Sequence, residues 1–300
     1  MAEVCVIYNP VAGRGAAARR LARVRRGLGY RAAFWPTQCA GHAVELARQA
    51  AADFPCVAAA GGDGTVHEVA NGLLRSDGAA VLGVLPVGSA NDYAHALGLS
   101  DDWWSRSDPA IGVRAVDVGI VRGGDRERFF VNCLGVGFNG HVTREARRIK
   151  GLQGIPLYGL ALIRTMRKVY EAAPLAIRLD DGEEQCVPTL SMTLGLGRRE
   201  GNFPLTPQAR LDDGLFDYLH VGRLSRLRLL CYFPRMISGR IPTDDPVLGV
   251  GQCRKVQIRS EKGLMLHTDG EFFCVPEEGV REVKIELLPL RLRVLGRLIS

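Results

Sequence analysis

The sequence is poor in the features that would place it quickly. Among eight cysteines there is no C-x-x-C pair, so no zinc site is expected. Cys5, Cys39, Cys56, Cys133, Cys186, Cys231, Cys253 and Cys274 fall mostly in apolar runs such as "EVCVIY" and "VNCLGV". There a thiol behaves as a small hydrophobe, and a reduced set is expected rather than disulfides. No run approaches the roughly 20 apolar residues that span a bilayer. No basic–apolar–small leader pattern opens the chain. The expected location is the cytoplasm, peripheral to the inner face of a membrane at most. Internal repeats and low-complexity tracts are absent.

Lysine is also scarce, with five among the 39 basic residues. The net charge of +7 is therefore an arginine excess. It is concentrated at 19–26, 144–150, 164–168 and 223–240 without forming one long block. Such patches suit phosphate substrates, anionic membranes and RNA equally well, and the excess is too mild to be a nucleic-acid signature. A hydrophobic fraction of 47% with 24% charged residues is that of a globular chain with ample core material. Its 300 residues suffice for two ordinary domains.

What is present is a rhythm. "VCVIY" (4–8), "RAAFWP" (31–36), "CVAAA" (56–60) and "AVLGVLP" (80–86) read as buried strands. Each is followed by a helical stretch: Ala16–Leu28, His42–Ala52, Thr65–Leu74 and Asn91–Leu97. Four such alternations predict an α/β domain with a parallel, Rossmann-like sheet. After about residue 112 the pattern changes to strands joined by Gly/Asp turns, for example "AVDVGIVRGG", "RFFVNCLGVGF", "PLAIRLDDGEE", "LFDYLHVGRL" and "GLMLHTDGEFF". This predicts an all-β, sandwich-like second domain, with helical insertions near 141–171 and 224–239. The expected division is 1–115 and 116–288, with about 289–300 returning to the first domain.

Ligands of open parallel sheets bind at the carboxyl ends of the strands. Three loops fall there: "YNPVAGRG" (8–15), "GGDGT" (61–65) and "PVGSAND" (86–92). In the second, Thr65 and Glu68 stand at capping-box spacing, which predicts a helix start immediately after the glycines. Glycines let backbone N–H groups approach an anion, and a helix N-terminus adds partial positive charge. Ser89 and Asp92 repeat the capping-box spacing, and Arg14 stands where it would meet a phosphate. The loop is no Walker A sequence, since no G-K-[ST] follows. His67 replaces the third glycine of a dinucleotide fingerprint, and Asn71 replaces the second histidine of a zincin motif.

Taken together, Asn9-Pro10-Val11-Ala12-Gly13, Gly61–Thr65 and Pro86–Asp92 resemble the motifs of the diacylglycerol kinase catalytic family. This family of lipid kinases includes bacterial diacylglycerol kinases and sphingosine kinases. Ser89 stands for the usual threonine and keeps the hydroxyl. "HTDGEFF" (267–273) and "QARLDDGLFDYLHV" (208–221) resemble the family's late elements, so the resemblance spans essentially the whole chain.

The resemblance implies a NAD kinase/diacylglycerol kinase-like fold and an ATP- and Mg²⁺-dependent lipid kinase. Asn9, Pro10, Val11, Ala12, Gly13, Arg14, Thr37, Gly61, Gly62, Asp63, Gly64, Thr65, Val66, His67 and Ser89 would hold ATP. Asp63 and Asp92 would organise Mg²⁺, and Glu271 would lie near the nucleotide at the ribose. Asp269, supplied by the second domain, would accept the proton of the lipid hydroxyl. "LDDGLFD" is open between an Asp-Gly turn and a structural Mg²⁺ site with Asp213 as side-chain ligand and the Arg210 and Leu215 carbonyls nearby. Some members of the family it resembles carry an acidic side chain where Arg210 stands.

A membrane lipid substrate implies peripheral contact with a membrane surface and no nucleic-acid partner. "IPLYGLALIRTMRKVY" and "LSRLRLLCYFPRMISGRI" mix apolar and basic residues. They are open between interfacial surfaces and core-facing helices with a basic outer side. Trp103-Trp104 is open between an interfacial anchor and a packed loop, and edge pairing into a homodimer is also open. NAD kinases share a G-G-D-G loop but lack the N-P-x-x-G opening and the late D-G-E, which ranks them second. A non-catalytic nucleotide-binding or lipid-sensing protein ranks third, because Asp63, Asp92, Asp269 and Glu271 are all intact.

Overall fold

The computed structural model describes residues 2–10, 16–105, 108–152 and 154–297. The chain divides into two compact units, 1–118 with 289–300, and 119–288. The first contains β1 (Val4–Tyr8), α1 (Ala16–Leu28), β2 (Ala32–Pro36), α2 (His42–Asp53), β3 (Cys56–Gly61), α3 (Asp63–Leu74), β4 (Val81–Pro86) and α4 (Asp92–Ala96). Its strands are parallel in the order β2-β1-β3-β4. Such a sheet is covered on both faces, which is why its strands read as unbroken apolar runs. Val6, Ala58, Ala60, Leu85 and Val24 of α1 form one buried cluster. Trp103 and Trp104 pack against this cluster, and the Trp103 indole N–H donates to the Val84 carbonyl at 2.7 Å. The tryptophan pair is thus a packed loop.

The second unit holds β6 (Arg126–Phe130), which pairs with the last residues of β5 (Gly112–Gly123), then β7 (Cys133–Gly137), α5 (Phe138–Arg148), α6 (Gly154–Lys168), β8 (Ala173–Leu179), β9 (Gln185–Thr189), β10 (Ser191–Gly195) and β11 (Phe216–Val221). It continues with α7 (Arg226–Ile237), β12 (Leu248–Cys253), β13 (Lys255–Arg259), β14 (Leu266–Thr268), β15 (Glu271–Cys274) and the start of β16 (Glu282–Gly296). The division of the chain falls inside β5 and β16. One antiparallel sheet contains β16-β13-β8-β9, and the other runs β12-β11-β10-β7-β14-β15. The far end of β16 belongs to the first unit, where Val294 pairs in parallel with Leu82 of β4.

The α/β architecture followed by antiparallel β-sheets with helical insertions is the one the sequence predicts. Its details differ in three places. "RFFVNCLGVGF" is two strands with a break at Val131-Asn132. The 141–171 insertion is two helices, α5 and α6, separated near Gly151, whose φ is +87°. β12 has no alternating pattern because Gly249 lies against His220 and Gly251 against the Tyr218 ring, leaving no side chains to read.

Candidate active site

The three glycine loops begin where the sequence places them, at the carboxyl ends of β1, β3 and β4. Val11–Gly15, and with them the nominated Val11, Ala12, Gly13 and Arg14, lie outside the described residues. Asn9 is tied to the next strand by its N–H, which donates to the Ala60 carbonyl at 3.4 Å. Thr37 follows β2 in the same way, its N–H donating to the Tyr8 carbonyl at 2.9 Å. A cavity of about 280 Å³ opens at this end of the sheet, lined by Tyr8, Asn9, Pro10, Arg25, Ala60 and Val87 among others. The Arg25 guanidinium stacks over Tyr8 and Phe34 and donates to the Tyr8 hydroxyl at 2.9 Å.

The second and third loops are joined backbone to backbone. The N–H groups of Val87 and Gly88 both donate to the Gly61 carbonyl, at 3.1 and 3.0 Å. A Cβ on Gly88 would stand 2.3 Å from the Gly62 Cα, so this approach requires glycine. Arg20 donates to the carbonyls of Val87 and Gly88, and the Asn91 amide donates to Gly88. The buried Asn91 Oδ1 has no hydrogen-bond partner among the described residues. Asp63, half-buried, reaches across with Oδ1 to the Tyr93 N–H at 3.2 Å.

Two capping expectations are corrected here. α3 begins at Asp63 with Gly62 as its N-cap and no side-chain cap. Thr65 is therefore inside the first turn. Glu68 serves the neighbouring helix instead, accepting from the Gly41 and Ala43 N–H groups at the start of α2, at 2.9 and 3.1 Å. α4 begins at Asp92 behind Asn91, again without a side-chain cap, so Ser89 and Asp92 form no capping box. α3 starts earlier and α4 later than the spacing suggests, and at α3 the donors of α2 take the glutamate that the local cap would have used.

Burial sorts the nominated residues. Thr65, Val66 and His67 are buried near the start of α3, and Asp92 is only 4% exposed. Gly62, Asp63 and Gly64 are half-buried, and Ser89 is exposed. The groups presented to a ligand are thus the glycine backbone, Asp63 and Ser89. They match the donor set of a polyphosphate site, with backbone N–H groups at a helix start. Among the described residues no group of three His, Cys, Asp or Glu side chains could hold a metal by itself. A Mg²⁺ held by one carboxylate and substrate phosphates fits such a site.

In the second unit the key feature is a hairpin. Asp269 and Gly270 join β14 to β15 with φ of +51° and +83°, the left-handed pair that Asp-Gly favours at such a turn. Asp269 is 7% exposed, and its carboxylate accepts three backbone hydrogen bonds. Val131 donates to Oδ2 at 3.0 Å, and Asn132 and Cys133 donate to Oδ1 at 2.9 Å each. These donors sit at the break between β6 and β7. A strand interruption that sequence patterning missed is therefore the socket of this aspartate.

The neighbours of the hairpin are also fixed. Glu271 pairs with Arg147 at 2.9 Å, and Arg147 donates to the Gly270 carbonyl at 2.7 Å. His267 is fully buried two residues before Asp269, with Nε2 3.1 Å from Glu200 Oε1. Glu200 also accepts from Thr193 and Asn139. Burial pushes the Glu200 carboxyl up, but His267 and these two donors outweigh it and hold the group below the usual carboxylate range. Gly135 makes room, since a Cβ there would stand 2.3 Å from both His267 Nε2 and Asn139 Nδ2. Sequence spacing pointed to none of Val131, Asn132, Arg147, Glu200 or His267, whose roles come from pairing across distant strands.

The remaining nominated segment closes on itself. Asp213 Oδ1 accepts the Leu215 N–H at 3.1 Å across Gly214, whose φ is +73°, and the Arg210 side chain lies 3.7 Å from Asp212. This is the geometry of an Asx turn.

Comparison with known proteins places these features in a lineage. A family model described as diacylglycerol kinase catalytic domain matches residues 3–122. A second, described as YegS C-terminal NAD kinase beta sandwich-like domain, matches residues 132–296. A diacylglycerol kinase of Bacillus subtilis (strain 168) is 30% identical over 284 residues, covering 91% of this chain and 90% of that protein. A probable lipid kinase YegS-like protein of Chromohalobacter salexigens is 35% identical over 240 residues, covering 77% and 74%. A crystal structure of a diacylglycerol kinase from Bacillus anthracis str. Sterne shares the fold, with a TM-score of 0.73 at 22% identity over 98% of this chain and 96% of that one. With the glycine loops of one unit and the Asp-Gly-Glu hairpin of the other both matched along their length, the chain belongs to the diacylglycerol kinase family of lipid kinases.

Proposed function

We propose that the protein transfers the γ-phosphoryl group of ATP to a hydroxyl of a membrane lipid such as diacylglycerol or a sphingoid base. The observation that carries this reading is the Asp269 carboxylate, oriented at a hairpin tip by three backbone N–H groups. Phosphoryl transfer requires positioning and charge neutralisation more than covalent catalysis. In this reading Gly61, Gly62, Gly64 and Ser89 hold the ATP phosphates, and Asn9 and Thr37 border the nucleotide at neighbouring strand ends. Asp63 would hold Mg²⁺, and the buried Asp92 would help to organise it. When bound, Mg²⁺ would supply charge neutralisation at the phosphates.

Asp269 accepts the hydroxyl proton as the lipid oxygen bonds to the γ-phosphorus and the bond to ADP breaks. Glu271 contacts the nucleotide at the ribose, steadied by Arg147. The acceptor is reached from a bilayer with which the protein makes peripheral contact.

Incubation with ATP, Mg²⁺ and a panel of diacylglycerol, monoacylglycerol, sphingoid base and phosphatidylglycerol tests the proposal. A phosphorylated lipid is expected. Phosphorylation of NAD⁺ and of no lipid would select the NAD kinase reading instead.

A further inference from the structure

Helix α7 carries three distinct stripes. Leu229, Phe233, Met236 and Ile237 face inward and join the buried clusters of the second unit. Leu227, Leu230, Cys231 and Pro234 recur at i, i+3, i+4 and i+7 on the outer side, and all four are exposed. Leu227 is 73% exposed and Leu230 41%. Beside this apolar stripe, Arg228, Tyr232 and Arg235 recur at i, i+4 and i+7. They form one wall of a cavity of about 460 Å³.

The end of the helix supplies a third arginine to that cavity. Gly239, with φ +69°, turns the chain back, and the Arg240 N–H closes on the Arg235 carbonyl at 2.9 Å. Arg240 thereby lines the same cavity as Arg228 and Arg235. Two acids also line the cavity, the exposed Asp244 and the buried Asp245, and Asp245 is already saturated. It accepts from the Val247 N–H at 3.0 Å, from the Tyr232 hydroxyl, and from Arg228 at 2.6 Å. Tyr232 in turn lies under the guanidinium groups of both Arg228 and Arg235, at 5.7 and 5.8 Å. Among the described residues neither Arg235 nor Arg240 has a carboxylate partner within ion-pair distance.

We propose that this cavity binds the phosphate headgroup of an anionic phospholipid in a bilayer, while Leu227 and Leu230 enter the interface beside it. Arginine forks match phosphate oxygens. An apolar stripe directly beside a basic one is the arrangement that lies in a membrane surface. None of the residues lining the cavity is one assigned to the nucleotide or to proton transfer, so the proposal goes beyond the kinase reading. Its test uses neither ATP nor acceptor and can fail independently.

The experiment is flotation of the full chain with vesicles of phosphatidylcholine alone and of phosphatidylcholine with phosphatidylglycerol. Wild type is expected to prefer the anionic vesicles. Arg235→Gln with Arg240→Gln is expected to lower that binding about 25-fold at low salt, from about fivefold per arginine. Leu227→Glu is expected to weaken binding to both vesicle types. All three side chains are exposed, so the fold is retained, and a thermal melt checks this. The control pair Arg178→Gln with Arg254→Gln removes two exposed arginines elsewhere in the same unit. Equal losses in both pairs would mean diffuse attraction by net charge and would overturn the pocket. Stabilisation of wild type by inorganic phosphate without vesicle binding would assign the pocket to soluble phosphate and overturn the bilayer source.

Discussion

Two Asp-Gly pairs, one in each unit, show how little a dipeptide determines by itself. Asp63-Gly64 opens α3, and Asp63 is half-buried with one backbone N–H on its Oδ1. Asp269-Gly270 tips a hairpin, and Asp269 is buried with three backbone N–H groups around it. A third pair, Asp213-Gly214, forms an Asx turn onto the Leu215 N–H. The carboxylate that partly faces solvent suits a metal ion and phosphates. The one locked in a backbone socket suits a task that depends on orientation. The difference lies in what the rest of the fold brings to each turn.

The largest expected effect comes from emptying the socket. Asp269→Ala leaves three buried N–H groups without acceptors, and at about 1–3 kcal/mol each this predicts a loss of several kcal/mol in urea unfolding. Cys133, whose N–H is one of the three donors, is 2% exposed. In wild type a thiol reagent is expected to label Cys39, Cys186 and Cys231, the three exposed cysteines. Burial pushes the Cys253 and Cys274 thiols up to about 12 and keeps them unreactive. In Asp269→Ala, labelling of Cys133 is expected in addition.

The corresponding disruption of the first unit is Gly88→Ala, which places a methyl 2.3 Å from the Gly62 backbone. Overpacking of this kind costs about 1–3 kcal/mol, and a melt within experimental error of wild type would refute the close approach of the two loops. Asp63→Ala is expected to remove phosphoryl transfer while the variant still melts as a folded protein. A fully active variant would remove Asp63 from the metal role.

The smallest effect concerns the charge behind the hairpin. Because the folded-state Glu200 carboxyl lies below its ordinary value, its contribution is present above about pH 4.3, the unfolded value. It is lost as pH falls through the depressed value. Glu200→Gln is expected to flatten the acid limb of the stability profile and leave stability near neutral pH lower than wild type. An unchanged acid limb would show that the His267 pairing carries no such weight.

The parallel half of the fold was legible because its inner strands β1, β3 and β4 are largely buried and each βα unit is local in sequence. "VCVIY" and "CVAAA" could hardly be read otherwise. The glycine loops were legible for the same reason, since backbone approach and helix starts leave a spacing. The capping boxes misled because a glutamate at the right spacing, Glu68, had better donors on α2. In the second unit the informative contacts join residues far apart in sequence, such as Asp269 with Val131 or His267 with Glu200. No local period records those pairings. β12 was hidden because glycines occupy positions where alternation would otherwise appear.

The assignment of separate tasks to the two aspartates is tested most directly by one lipid-phosphorylation assay. It would be run on wild type and Asp269→Asn, with binding of Mg²⁺ and ATP measured on the same samples. Asp269→Asn is expected to bind nucleotide like wild type and to phosphorylate no lipid. Wild-type turnover in that variant would contradict the role given to Asp269.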